Sequence, residues 1–245
     1  MQAKTKYAGT RMFHLVHKTW NPISGCQFLC KYCWARKLAI TKLRHLERYR
    51  NGFIPKLNSS ELRKKFKPGE LVFVSDMGDM WGSFIPDEWI EKVLNHVRSF
   101  PRTTFLFLTK NPGRYLEFAE ELSSMDNVVL GATVETDDDL LYLKHSISRA
   151  PAPSKRLYMM ELAAQKIGGT LMISVEPILD FTPFFHIKIS EVATRSDDFF
   201  TYIGYDNYGN KLPEPPYRKT LSLIKTLRDK GIKVYIKTLR KAWYE

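Results

Sequence analysis

Seven short apolar runs, most of them followed by a stretch with helical spacing, constrain this chain more than any other feature. Strand-like patterns fall at 13–18, Leu71–Val74, 104–108, 128–134, 171–175, 199–204 and 233–238, and helical ones at 35–50, 86–99, 112–122, 137–148, 154–167 and Tyr217–Asp229. Strands alternating with helices imply right-handed crossovers and a parallel sheet covered by helices. Polar residues stand just past the apolar runs: Asp76 and Asp79, Thr109 and Lys110, Glu135, Glu176, and Asp206. In a β/α barrel those positions form the active face, so the expected fold is α/β, a partial (β/α)6-type TIM barrel. Any one of these residues alone could be a helix cap or an ion-pair partner, and Asp206 is the best candidate for that plainer role.

At 245 residues and 28.6 kDa, 44% of them hydrophobic, the chain can bury a sizeable core, and a single domain over 1–245 is expected. Residues 182–198 and the proline-rich 206–216 read as excursions beside the barrel mouth. No stretch within 1–13 has signal-peptide character and no later one approaches a membrane span, so a cytoplasmic protein without membrane contact is expected. The net charge of +12 is unevenly placed. Between 31 and 67, twelve Lys and Arg against Glu47 and Glu61 leave +10, and 225–241 carries a further +6. Such segments are either solvated helix faces or a track for a polyanion, DNA or RNA. Tyr49, Phe53 and Phe66 lie among the charges and could stack on bases or belong to the core.

The only cysteines are Cys26, Cys30 and Cys33, in GCQFLCKYCWA, just after the first apolar run. This C-x3-C-x2-C spacing can hold three corners of a cubane iron-sulfur cluster and leave the fourth iron open to a non-protein ligand. A structural zinc site completed by His14, His17 or His45 is the plainer alternative, but such sites usually pair two C-x2-C knuckles. A third reading is a non-catalytic nucleic-acid-binding protein with a structural iron-sulfur or zinc centre, which accounts for the charge but not for the strand-end carboxylates.

The cysteine motif, with Tyr32 in its aromatic position, resembles the signature of the radical S-adenosylmethionine (SAM) superfamily. TWNPISGC, VFVSDMGDMWG with PDEWI, FLFLTKNPGRY, LGATVE and ISVEPILDF further resemble, in order, a family of short phage-encoded and microbial radical enzymes. Spore photoproduct lyase, a DNA-repair enzyme, is similar more distantly. The resemblance implies that Cys26, Cys30 and Cys33 bind a 4Fe-4S cluster whose open iron is chelated by S-adenosylmethionine. An electron from the cluster then cleaves the sulfonium to a 5'-deoxyadenosyl radical that abstracts hydrogen from a substrate. It further implies that the Tyr32 backbone lies against the adenine and that Ser75, Asp76, Gly78 and Asp79 form the turn that receives the methionine amino group. Lys110, Glu135, Ser174 and Glu176 are then candidates for the carboxylate, the ribose or the substrate. An electron donor such as a ferredoxin or flavodoxin is implied as a partner.

Two departures mark this chain within the resemblance. YIGYDNYGN stands where a glycine-rich GGES-like segment is common, and the ending VYIKTLRKAWYE replaces one rich in aromatics and Lys-Gln-Trp. No cysteine remains to donate hydrogen as a thiol, so a tyrosine near the mouth, Tyr205 or its neighbours Tyr202 and Tyr208, is the candidate donor.

Overall fold

A computed structural model of the chain describes residues 12–245, and the opening segment considered above lies, up to residue 11, outside them. The strands are β1 (Lys18–Trp20), β2 (Ile23–Ser24), β3 (Lys56–Leu57), β4 (Leu71–Val74), β5 (Thr104–Thr109), β6 (Val128–Thr133), β7 (Thr170–Val175), β8 (Asp198–Ile203) and β9 (Lys233–Ile236). The helices are α1 (Trp34–Ile40), α2 (Asp87–Arg98), α3 (Gly113–Glu117), α4 (Ala119–Ser123), α5 (Asp139–Lys144), α6 (Pro153–Lys166), α7 (Phe185–Arg195) and α8 (Tyr217–Asp229). Seven strands form one all-parallel sheet in the order β1-β4-β5-β6-β7-β8-β9, so among the described residues β1 and β9 are the edges of a partial barrel.

Alternation along each strand sorts its side chains between two apolar layers. Val72 and Val74, Phe105 and Phe107, Leu130 and Ala132, and Leu171 and Ile173 face the helices, which answer with stripes such as Ile90, Val93, Leu94 and Val97 of α2. Phe73, Leu106, Val129, Met172, Phe200 and Tyr202 point the other way and fill the barrel interior together with Phe13 and Val16. One step further along these inward columns the residues turn polar. Ser75 follows Phe73, Lys110 follows Leu108, Ser174 and Glu176 follow Met172, and Lys237 follows Tyr235.

Some boundaries differ from the sequence expectation for identifiable reasons. The first strand starts at Lys18, because Phe13 and Val16 are spent on plugging the interior. The helix expected over 35–50 ends at Ile40, where the Thr41 hydroxyl caps the Lys37 carbonyl at 2.6 Å. The chain then folds back so that Tyr49 and Phe53 pack on Ala35 and Ala39 beside Cys26 and Cys33. Phe66 is likewise buried, against Trp20 and Phe105, so all three aromatics of the basic segment belong to the core. Residues 112–122 form two short helices rather than one, broken at the buried Phe118. The expected excursion at 182–198 is mostly α7, the crossover helix between β7 and β8, whereas 206–216 is an irregular loop. The small antiparallel pair β2-β3, absent from the sequence reading, ties the segment before the cysteines to the basic segment.

Candidate active site

A cavity of about 540 Å³ opens at the C-terminal ends of the strands. Cys26, Cys30 and Cys33 line one side, and Ser75, Asp76, Gly78, Asp79, Lys110, Thr133, Ser174, Glu176 and Lys237 line the sheet side. Phe13 and Phe73 from the interior cluster also border it, so the apolar plug closes the cavity below.

The cysteine loop is held by main chain from two directions. On the sheet side the Gly25 amide donates to Met77 O at 2.9 Å, the Asp79 amide donates to Gly25 O at 3.3 Å, and Gly25 and Gly78 form an isolated parallel bridge. Neither position has room for a side chain. A Cβ on Gly25 would stand 2.2 Å from Ile54 O, and one on Gly78 would stand 2.9 Å from Gly25 O. Gly25 also has a φ of +88°, which glycine adopts without steric cost. On the other side the segment between α5 and α6 latches onto the loop. The Lys31 amide donates to Ile147 O at 2.9 Å, the Arg149 amide to Phe28 O at 2.7 Å and the Ser148 hydroxyl to Phe28 O at 2.9 Å. The Cys30 thiol donates to Ser148 Oγ at 3.2 Å, while Cys26 and Cys33 accept from the Phe28 and Arg36 amides at 3.4 and 3.3 Å. Burial raises the Cys26 thiol, assisted by the nearby Asp79 charge, and burial raises Cys30 against the opposing pull of Lys110.

The turn after β4 carries the next set of groups. Ser75 sits at φ +59°, is buried, and has a hydroxyl without a hydrogen-bond partner among the described residues. Asp76 accepts from Asn21 Nδ2 at 2.6 Å, and Asn21 Oδ1 in turn accepts from the Met77 amide at 2.9 Å. Asp79 is committed to the fold on both oxygens: Oδ1 accepts from Thr109 Oγ1 at 2.7 Å and the Trp81 amide at 3.1 Å, and Oδ2 from the Lys110 amide at 2.9 Å. Desolvation raises both carboxyls above the ordinary aspartate range.

Glu135, expected at the mouth, stands behind it instead. It is fully buried and absent from the cavity lining, its Oε2 accepts from Arg156 at 2.7 Å, and its Oε1 accepts from the Tyr32 hydroxyl. Lys110 Nζ lies 4.0 Å from Oε1 and 5.3 Å from the Tyr32 ring centroid. Burial opposes ionisation of Glu135, but Arg156 and Lys110 hold its carboxyl below the usual glutamate range. Arg156 is the residue sequence reading missed. It is fully buried, donates to Pro151 O and Thr133 O at 2.8 and 2.6 Å, and stacks over Tyr142. The available signal was its place on the buried stripe of α6, between Pro153 and Leu157, where an apolar side chain is the norm.

Across the cavity Glu176 pairs with Lys237 at 2.6 Å, and burial nonetheless raises its carboxyl. Ser174 is buried on β7 and reaches the lining. Tyr205 borders the cavity, and its hydroxyl is hydrogen-bonded to Pro215 O at 3.0 Å and Thr220 Oγ1 at 2.7 Å. Tyr202 belongs to the interior plug, whereas Tyr208 is exposed at the rim. Asp206 caps its own loop through Asn210. Of the histidines weighed as a fourth ligand, His17 accepts from the Leu71 amide at the N-terminal end of β4, His14 contacts Tyr202, and His45 is exposed. Among the described residues no three His, Cys, Asp or Glu side chains are placed to hold a single metal ion.

Residues 11–184 match a family model described as a protein of unknown function, DUF5131. The chain belongs to the DUF5131 family. No curated protein matches the sequence. Among solved structures, a mutant spore photoproduct lyase with bound AdoMet and dinucleoside spore photoproduct superposes on this DUF5131 chain with a TM-score of 0.58. That match has 11% identity and covers 91% of this chain and 76% of the lyase. SuiB of Streptococcus suis bound to S-adenosylmethionine gives a TM-score of 0.56 at 12% identity, covering 89% of this chain and 49% of SuiB. SuiB bound to precursor peptide SuiA gives the same score at 10% identity. At these identities the likeness is one of fold: the DUF5131 chain has the α/β partial-barrel fold of spore photoproduct lyase and SuiB.

Proposed function

We propose that this protein is a radical SAM enzyme acting on a nucleic acid or nucleotide. The observation that carries the reading is the meeting, in one cavity at the C-terminal face, of three cysteines and a turn whose buried Ser75 hydroxyl lacks a partner among the described residues. The donor set fits the cofactors: three thiols lining one cavity whose lining holds no histidine suit a cubane, in which each thiolate takes a different iron. A 4Fe-4S cluster and S-adenosylmethionine, when bound, supply an electron and a 5'-deoxyadenosyl radical for hydrogen abstraction.

The chain's own residues hold, orient and shield. Cys26, Cys30 and Cys33 would hold the cluster, and the Gly25-Gly78 bridge sets the distance from their loop to the Ser75-to-Asp79 turn. Ser75 offers its hydroxyl, while Asp79 Oδ2, with one donor on it, keeps capacity for an ammonium group. Lys110, whose ammonium has no hydrogen-bond partner among the described residues, presents a cation to a carboxylate, and Glu135 with Arg156 fixes its position and that of Tyr32 from behind. Ser174 and the Glu176-Lys237 pair line the side left for a ribose or substrate. The plug of Phe13, Phe73 and Met172 keeps water from entering below. A ferredoxin or flavodoxin serves as electron donor in this reading.

Anaerobic reconstitution with iron and sulfide should give the broad visible absorption of an iron-sulfur centre, and reduction with S-adenosylmethionine should yield 5'-deoxyadenosine and methionine by mass spectrometry. Substituting each cysteine by alanine should abolish both signals. A protein that takes up zinc and no iron, or a fully reconstituted, reduced sample that makes no 5'-deoxyadenosine with any offered nucleic acid, overturns the reading.

A further inference from the structure

A second, smaller depression continues outward from the main cavity. It shares Cys30, Tyr32, Cys33, Trp34 and Tyr208 with that cavity and adds Lys31, Arg36, Lys37, Ile40 and Asn210. Three features combine in its lining. Its lining holds three cations and no carboxylate. The side chains of Lys31, Arg36 and Lys37 make no ion pair or hydrogen bond among the described residues, whereas Arg48, Lys56 and Lys64 of the same basic segment are neutralised by Glu61 and Glu47. Besides Tyr32, whose hydroxyl is held by Glu135, two aromatic side chains, the half-buried Trp34 and the exposed Tyr208, stand in the same lining as the cations.

We propose that this groove seats a single-stranded nucleic acid, its phosphates on Lys31, Arg36 and Lys37 and its bases against Trp34 and Tyr208. The proposal rests on the radical SAM reading only for its consequence, that one nucleotide of the strand is delivered into the adjoining cavity. Cations without counter-charge match a phosphodiester backbone, and aromatic faces beside a basic track are how sequence-tolerant single-strand binding is built. An acidic protein surface would be drawn by the same cations but gains nothing specific from paired aromatic faces. Tyr49, Phe53 and Phe66, the aromatics nearer the middle of the basic segment, are buried and cannot serve, which leaves Trp34 and Tyr208 for stacking.

The test is fluorescence anisotropy of a labelled mixed-sequence DNA 20-mer and its RNA counterpart, with reconstituted protein, across a salt series. Binding should weaken with salt, and the variant Lys31→Ala/Arg36→Ala/Lys37→Ala should lower the log-log salt slope by about 2, at roughly 0.7 for each phosphate left without its cation. A control variant with the same charge change on exposed lysines elsewhere, Lys92→Ala/Lys166→Ala/Lys230→Ala, should keep the wild-type slope. Tyr208→Ala should weaken binding roughly tenfold with the slope unchanged. Cluster absorbance on every variant verifies that the cysteine loop is intact, and the single reversal Lys37→Glu repeats the test should the triple variant misfold. Equal losses in groove and control variants, no binding at low salt, or intact oligonucleotide binding with lost reduction by a flavodoxin would each overturn the proposal. Oligonucleotide binding without 5'-deoxyadenosine formation would sink the enzyme reading and leave the groove standing, and the converse result would do the opposite.

Discussion

The two ends of the same seven strands carry opposite kinds of side chain on one continuous inward face. Toward the N-terminal end Phe73, Leu106, Val129, Met172 and Phe200 make a closed apolar plug, and a step or two further Ser75, Lys110, Ser174, Glu176 and Lys237 make an open polar cavity. The difference teaches where stability and chemistry are kept apart. The plug is held mainly by apolar and aromatic packing, whereas buried carboxylates at the upper end have partners beside them, as Glu135 has Arg156 and Glu176 has Lys237.

The sharpest way to break that comparison is Arg156→Met. It leaves the buried Glu135 carboxylate with Lys110, 4.0 Å away, as its remaining counter-charge and should cost about 3–5 kcal/mol in urea unfolding, with much of the loss recovered in Arg156→Met/Glu135→Gln. A loss below about 1 kcal/mol would mean that the upper network is not structural. In the plug, Leu106→Ala should cost about 2–5 kcal/mol through a cavity, and should lower the melting temperature by about 2–4 °C for each of those kcal/mol without altering cofactor affinity in the folded fraction. Ser75→Ala should do the reverse. Removal of a buried hydroxyl without a partner should change stability by no more than about 0.5 kcal/mol, while S-adenosylmethionine affinity by calorimetry should fall about tenfold.

The smallest expected effects lie in acid and have opposite signs at the two carboxylates. Glu135 has a lowered folded pKa, so its contribution is complete above the unfolded value of about 4.3 and is lost as pH falls through the folded value. Glu176 has a raised folded pKa, so its contribution is complete below about 4.3 and is lost as pH rises through the folded value. Unfolding free energies measured against pH for Glu135→Gln and Glu176→Gln should therefore diverge from wild type at opposite ends of the range. Parallel curves would show that the two carboxylates share one environment.

Six of the seven strands were legible because their apolar runs depend only on local residues, and the strand-end positions followed from them; the first, expected over 13–18, forms at Lys18–Trp20 instead. The roles of those residues were less legible, since they depend on partners far along the chain. Glu135 reads as a mouth residue until Arg156, which lies on another element, is seen to draw it inward. Tyr205 reads as a rim tyrosine until Thr220 on α8 takes its hydroxyl. The basic segment was visible as charge, but only folding distinguished its buried aromatics from Trp34, and its paired cations from Lys31, Arg36 and Lys37.

The latch between the cysteine loop and the segment joining α5 to α6 fixes an order of events. Phe28 O receives Arg149 and Ser148, and Lys31 reaches Ile147, joining parts of the chain more than a hundred residues apart. Their loop-closure entropy is recovered only when the strands and helices between them have assembled. The cysteines therefore acquire their final spacing late in folding, after most of the barrel exists. A zinc finger is folded by its metal; under the proposed function this chain would instead offer a receptacle already shaped by its barrel.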